Sequence, residues 1–155
     1  MQTFTVTPIG RVRSPRTDPA DTDRWGAVES TIVVEEPLGE DALTGLADFS
    51  HVEVLFVFDQ AEPRAHYREL LRPRGRADLP EVGVFAHRGP RRPNRIGVTA
   101  CQIVSVDRRE LTVRGLDAVD GTPVLDLKPV LVEFVPAEVR QPTWAGRLMQ
   151  DYFLR

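Results

Sequence analysis

Residues 82–99 read VGVFAHRGPRRPNRIGVT, and this stretch limits the fold more than any other. Val82, Val84 and Phe85 predict the end of a buried strand. Beyond Arg88, the residues Gly89, Pro90, Pro93 and Gly97 forbid a regular helix and interrupt any sheet ladder. Hydrophobicity resumes at Ile96 and Val98. Arg88, Arg91, Arg92 and Arg95 place four cations on this stiff loop, where they repel one another unless an anion or carboxylates face them. Such crowding adds nothing to a core, and loops held between strands often carry function. The plainer alternative is a proline-stiffened hairpin loop with solvated arginines.

The flanking sequence predicts strands. Alternation over residues 4–12 gives a first strand, ended by Ser14 and Pro15. Residues 14–26 form an exposed loop, in which Trp25 either folds back onto the core or offers a flat face to a ligand. VESTIVV (28–34) is a second strand. Leu43, Leu46 and Phe49 stand at helical spacing within residues 38–49, predicting a short helix. HVEVLFVFD (51–59) is nearly continuously apolar and predicts a strand buried on both faces. Residues 64–80 are irregular, because Pro73, Gly75 and Pro80 prevent a long helix.

Further strands follow at 98–106 and 110–116, joined by a hairpin at 107–109. Asp120, Gly121, Thr122 and Pro123 make a turn. The last strand, 124–132, contains Pro129 and is therefore expected at a sheet edge. Residues 142–153 predict an amphipathic helix, with Thr143 as its cap and Trp144, Leu148 and Tyr152 at helical offsets. No βαβ alternation occurs. The expected fold is mainly β: a small antiparallel β-barrel with short helices and a C-terminal helix, in one domain spanning residues 1–155.

Several function classes drop out. No apolar run approaches the roughly 18 residues that span a bilayer, and the N-terminus lacks the pattern of a signal peptide. Cys101 is the single cysteine, so no internal disulfide or cysteine metal cage forms, and a cytoplasmic setting is expected. His51, His66 and His87 are scattered and suggest no metal site. Glycine-rich phosphate and dinucleotide fingerprints are missing. The net charge is −3, yet residues 64–95 hold nine arginines against Glu69, Asp78 and Glu81, a formal +6 set against −9 elsewhere. A basic face on an acidic body suits phosphate, unless those arginines pair with acids from other parts of the fold.

The anionic counterpart is LDAVDGTPVLDLKP, residues 116–129, which gathers Asp117, Asp120, Asp126 and Lys128. These side chains suit orienting a ligand, taking a proton or holding a cation; alternatively Asp117 and Asp120 serve the turn through backbone bonds. One cationic and one anionic loop together suit a ligand bearing both charges, or an anionic substrate beside a cationic cofactor.

These two segments, with PIGRVRSP (8–15), ALTGLADFSHVEVLFVFD (42–59) and RPRGRADLPEVGVFA (72–86), resemble the TsaA-like family of TrmO-type tRNA (adenine-N6)-methyltransferases. The resemblance implies a dimeric, non-Rossmann β-barrel that binds S-adenosylmethionine. It also implies methyl transfer to the exocyclic nitrogen of threonylcarbamoyl-adenosine, beside the anticodon of threonine tRNA, with the anticodon stem-loop as partner and neither metal nor membrane. By position, Arg24, Trp25, Asp59, Gln60, Arg88, Leu116 and Asp117 match the cofactor-contacting segments. Asp117, Asp120 and Lys128 are the candidate catalytic groups, either as base or as holders of the donor's ammonium or ribose hydroxyls. Arg91, Arg92 and Arg95 would hold tRNA phosphates. His87, Gly89, Arg92 and Arg95 replace a threonine, a serine, an aromatic residue and a proline of the family pattern, and Val130 stands where its KPY motif has tyrosine. An extra C-terminal domain carried by some bacterial members is also expected to be lacking. Rival readings are a methyltransferase for another RNA or a small molecule, and a barrel that binds S-adenosylmethionine or RNA without turnover.

Overall fold

The structure is a computed structural model that describes residues 2–154. Six antiparallel strands, β1 (Gly10–Arg13), β2 (Glu29–Val34), β3 (His51–Val57), β4 (Ile96–Asp107), β5 (Glu110–Arg114) and β6 (Pro123–Pro129), close into a barrel in the order β1-β2-β5-β4-β3-β6. Alternation sends Val12, Ile32, Val34, Val52, Val54, Phe56, Leu111, Val113 and Val124 into one core. Each such side chain contributes about 1.5–3 kcal/mol on burial. Closure is longest between β3 and β4, where seven residue pairs run from His51↔Gln102 to Val57↔Ile96. It is shortest between β1 and β6, where only Gly10↔Val124 and Arg11↔Pro123 pair in register.

Several local expectations are corrected. The first strand starts at Gly10 rather than residue 4, because Phe4 and Val6 meet no partner strand and stay exposed. In place of a helix over 38–49 there are three 3₁₀ turns, Glu36–Leu38, Glu40–Leu43 and Leu46–Asp48. Gly39 and Gly45, at φ 81° and 85°, divide them. β3 is not buried on both faces: Val52, Val54 and Phe56 point inward, while His51 and Glu53 are exposed and Leu55 and Val57 half-covered. Residues 82–85 form no strand; Val82 makes an isolated bridge to Leu71, and Val84–Ala86 is a 3₁₀ turn. β6 is not an edge strand, since it lies between β3 and β1 and Pro129 is merely its last residue. The C-terminal helix α1 (Thr143–Leu148) is a short piece of the predicted one, and Thr143 lies inside it rather than capping it. Tyr152 therefore falls outside any helix. No helix among the described residues is long and apolar enough to cross a membrane.

Candidate functional site

The site is built around Asp117, just beyond β5. Leu116 is fully buried and Ala118 nearly so, which anchors the backbone on either side of the aspartate. Both oxygens of Asp117 accept hydrogen bonds from hydroxyls. Thr99, which points inward from β4, donates to Oδ1, and Tyr152 donates to Oδ2 at 2.6 Å. Arg88 approaches from the arginine loop, where its Nη2 donates to the carbonyl of Val98, next to Thr99. Burial pushes the Tyr152 phenol well above its ordinary range, and the Asp117 charge and hydrogen bond add to that; Arg74 and Arg88 oppose it more weakly. Burial likewise raises the Cys101 thiol, with a further push from Asp117. Tyr152 is therefore a permanent donor near neutral pH, and Cys101 is no nucleophile.

A second layer ties the chain's last residues to the loop before β2. The amides of Arg24 and Trp25 donate to the carbonyls of Asp151 and Tyr152, at 2.9 and 2.8 Å. Any side chain on Gly26 would collide with the carbonyl of Phe153. Arg16 donates to the carbonyls of Asp23 (2.7 Å) and Arg24 (2.8 Å) while its guanidinium lies 4.5 Å from the centre of the Trp25 ring. Trp25 is 2% exposed, so of the two sequence expectations the inward one holds and its ring faces no solvent. Its Nε1 is nevertheless buried without a partner among the described residues. Arg74 grips Asp23 with both terminal nitrogens, at 3.1 and 2.8 Å, and holds that carboxyl below the usual carboxylate range. The same guanidinium lies 5.8 Å from the Tyr152 ring.

The arginines of residues 64–95 divide into two sets. Arg72, Arg74 and Arg76 pair with Glu81, Asp23 and Asp78. Among the described residues no carboxylate pairs with Arg64, Arg68, Arg88, Arg91, Arg92 or Arg95. Arg92 donates to the carbonyl of His87 at 3.3 Å, and Arg95 to those of Asp59 and Ala61 at 3.4 and 3.1 Å. Arg64 and Arg91 line a cleft of about 510 Å³, which Glu62 and Glu69 also border. Burial, then the charges of Arg92 and Arg64, push the His87 imidazole down, so it is neutral at neutral pH. Its Nδ1 accepts the Gly89 amide at 2.9 Å, which leaves the ring proton on Nε2.

The predicted site residues thus fall into separate groups. Arg24, Trp25, Arg88, Leu116 and Asp117 gather around Tyr152. Asp59 and Gln60 follow β3, where the guanidinium of Arg95 reaches the Asp59 carbonyl. Asp120 sits apart from them: its Oδ1 accepts the Ser14 amide at 3.0 Å and its own amide donates to the Arg16 carbonyl at 2.7 Å. Lys128 stands opposite Glu53 on the outer face of the barrel and binds Asp126 at 2.8 Å, which raises its ammonium's pKa. Tyr152 and Thr99 were missed at the level of sequence. Tyr152 had been assigned to an apolar helix face, and nothing in its spacing marks it as a partner of Asp117.

The chain has known counterparts. Residues 11–134 match the family model of the tRNA-methyltransferase O N-terminal domain. An S-adenosyl-L-methionine-binding protein of Archaeoglobus fulgidus is 38% identical over 125 residues, covering 78% of this chain and 85% of that one. The tRNA (adenine(37)-N6)-methyltransferase of Mus musculus is 40% identical over 95 residues, 61% of this chain but 22% of the mouse protein. The crystal structure of TrmO from Pseudomonas aeruginosa superimposes with a TM-score of 0.73 at 34% identity, over 90% of this chain and 61% of the TrmO chain. The match takes in the six strands, but for Gly10 at the start of β1, with the Asp117 and arginine loops, and by it the chain belongs to the tRNA-methyltransferase O N-terminal domain family.

Proposed function

We propose that the protein is an S-adenosylmethionine-dependent tRNA methyltransferase that modifies the exocyclic nitrogen of threonylcarbamoyl-adenosine beside the anticodon of threonine tRNA. The observation that carries this reading is the course of one loop. It begins with Arg88 at the Asp117 site and runs on through Arg91 and Arg92, which pair with no carboxylate among the described residues. A donor site and a phosphate-binding surface are then contiguous. The names of the relatives, one an S-adenosyl-L-methionine-binding protein and one a tRNA (adenine(37)-N6)-methyltransferase, support the same chemistry.

The residues present fit such a donor. Its amino-acid end carries an ammonium and a carboxylate, and Asp117 and Arg88 offer the matching charges. Each Asp117 oxygen keeps a lone pair beyond its hydroxyl bond, and the buried Trp25 Nε1 is a donor in want of an acceptor. When bound, S-adenosylmethionine supplies an electrophilic methyl group. The protein's share is positioning for an in-line displacement. Arg24, Trp25, Leu116 and Asp117 shape the donor site, with Asp59 and Gln60 at the end of β3. Arg91 and Arg92 hold backbone phosphates without reading bases. Asp117, already bonded through both oxygens, is assigned to holding the donor rather than to taking a proton. Lys128, kept protonated by Asp126, is a poor base.

We further propose a second copy of this chain as a partner. Leu55 and Val57 pair with Val98 and Ile96 on the outer face of the β3–β4 ribbon, where Ile96 and Val98 stand 41% and 37% exposed. So much uncovered apolar surface suits a homodimer.

Mass spectrometry of tRNA nucleosides from a deletion strain tests the reading. Loss of methylated threonylcarbamoyl-adenosine alone is expected. Its persistence overturns the substrate assignment, and a purified protein that ignores millimolar S-adenosylmethionine in calorimetry overturns the donor as well.

A further inference from the structure

The segment that supplies Tyr152 lies beyond residues 11–134, the part that matches the family model, yet it closes the Asp117 site. Three independent contacts hold it there. Two backbone bonds join Asp151 and Tyr152 to Arg24 and Trp25, the absence of a side chain at Gly26 leaves room for the Phe153 carbonyl, and the Arg74 guanidinium lies over the Tyr152 ring. Arg74 is itself anchored on Asp23, two residues before Trp25. The strap and the 16–26 loop thus form one unit whose product is a phenol hydroxyl 2.6 Å from Asp117 Oδ2. With Thr99 on the other oxygen, the carboxylate plane is fixed from both sides. A carboxylate on a short side chain otherwise rotates freely about its last torsion.

We infer that Tyr152 is a positioning residue of the methyl-donor site, fixing the Asp117 carboxylate in the orientation that binds the donor. The inference rests on the donor reading given above and extends it to the C-terminal strap. Tyr152 does not take the proton, because burial and Asp117 keep its phenol protonated. It acts by donating one hydrogen bond of the charge-assisted kind.

The test is a double-mutant cycle on the full chain, read by calorimetry with S-adenosylmethionine. Tyr152→Phe removes the hydroxyl and keeps the ring against Arg74. It should weaken donor binding about tenfold, the scale of one hydrogen bond to a charged group, with the melting temperature nearly unchanged. In an Asp117→Asn background the same change should have less than a twofold effect, since Tyr152 acts through that carboxylate. Equal affinity of Tyr152→Phe and the unaltered protein, or full additivity in the cycle, overturns the inference while leaving the donor reading intact. No binding by the unaltered protein overturns both. A second readout covers failure of the variant to fold. The chain has two tyrosines, so ring-labelled protein gives two tyrosine signals, and that of Tyr152 should shift on saturation with donor. An unmoved Tyr152 signal also overturns the inference.

Discussion

Arg88 and Arg92 share one loop, but their guanidinium groups meet different surroundings. Arg88 donates to the strand carbonyl beside Thr99 and its charge reaches Tyr152, whereas Arg92 braces the His87 carbonyl next to the cleft. Arg88→Ala should weaken S-adenosylmethionine binding. Arg92→Ala should leave it unchanged and lower tRNA affinity, reducing the salt slope by about one unit or less. Calorimetry and salt-dependent tRNA binding separate the two; equal losses of donor affinity would show the loop to be misassigned. Asp120 poses a different question, since its carboxylate already has a structural occupation on the Ser14 amide. Asp120→Ala should cost about 1 kcal/mol, and Asp120→Asn less, because an amide oxygen still accepts that bond. A drop of about 10² in turnover with an unaltered melting temperature in Asp120→Asn would instead make it a catalytic group.

Among the elements, the Asp23–Arg74 pair fastens the loop before β2 to the turn Pro73–Gly75. Asp23 is held below the ordinary aspartate value of about 3.9, chiefly by its hydrogen bond to Arg74. Its contribution is therefore present above that value and lost as the pH falls through the lower folded one. Arg74→Met should move the acid-unfolding midpoint upward, by a modest amount for a pair that is about a third exposed. Gly26→Ala should push the Phe153 carbonyl, and Tyr152 with it, off its seat, weakening donor binding as read by calorimetry. The elements also show where the sequence was readable. β2 and β5 obey simple alternation, β4 does so as far as its bulge between Ile103 and Ser105, and the hairpin between β4 and β5 sits where its residues placed it. Burial of Leu43 alone could not sustain a helix across Gly39 and Gly45. The apolar outer residues Leu55 and Val57 made β3 look doubly buried, when they are only half-covered and His51 and Glu53 on the same face are exposed. Arg88 and Asp117 were legible through motif resemblance. Tyr152 was not, because its place beside Asp117 depends on backbone bonds from Arg24 and Trp25 to Asp151 and Tyr152, which no local pattern encodes.

At the scale of the molecule, the uncovered β3–β4 face carries the expectation of a homodimer. Sedimentation equilibrium should give twice the chain mass, and Val98→Asp should return the monomer by placing a charge on that face; a monomeric unaltered protein would rule the face out. The barrel's thinnest seam has a further consequence, one that lies in synthesis. β1 meets β6 and the turn leading into it across contacts such as that of Arg11 with the Gly121 carbonyl, 110 residues apart. Until β6 is made, β1 lacks one neighbour and β3 lacks another. A nascent chain that has emerged only through β5 therefore presents two open strand edges at once, and edges of that kind template pairing with other chains. The interval between translation of residues 114 and 129 is when this protein most needs protection from its neighbours.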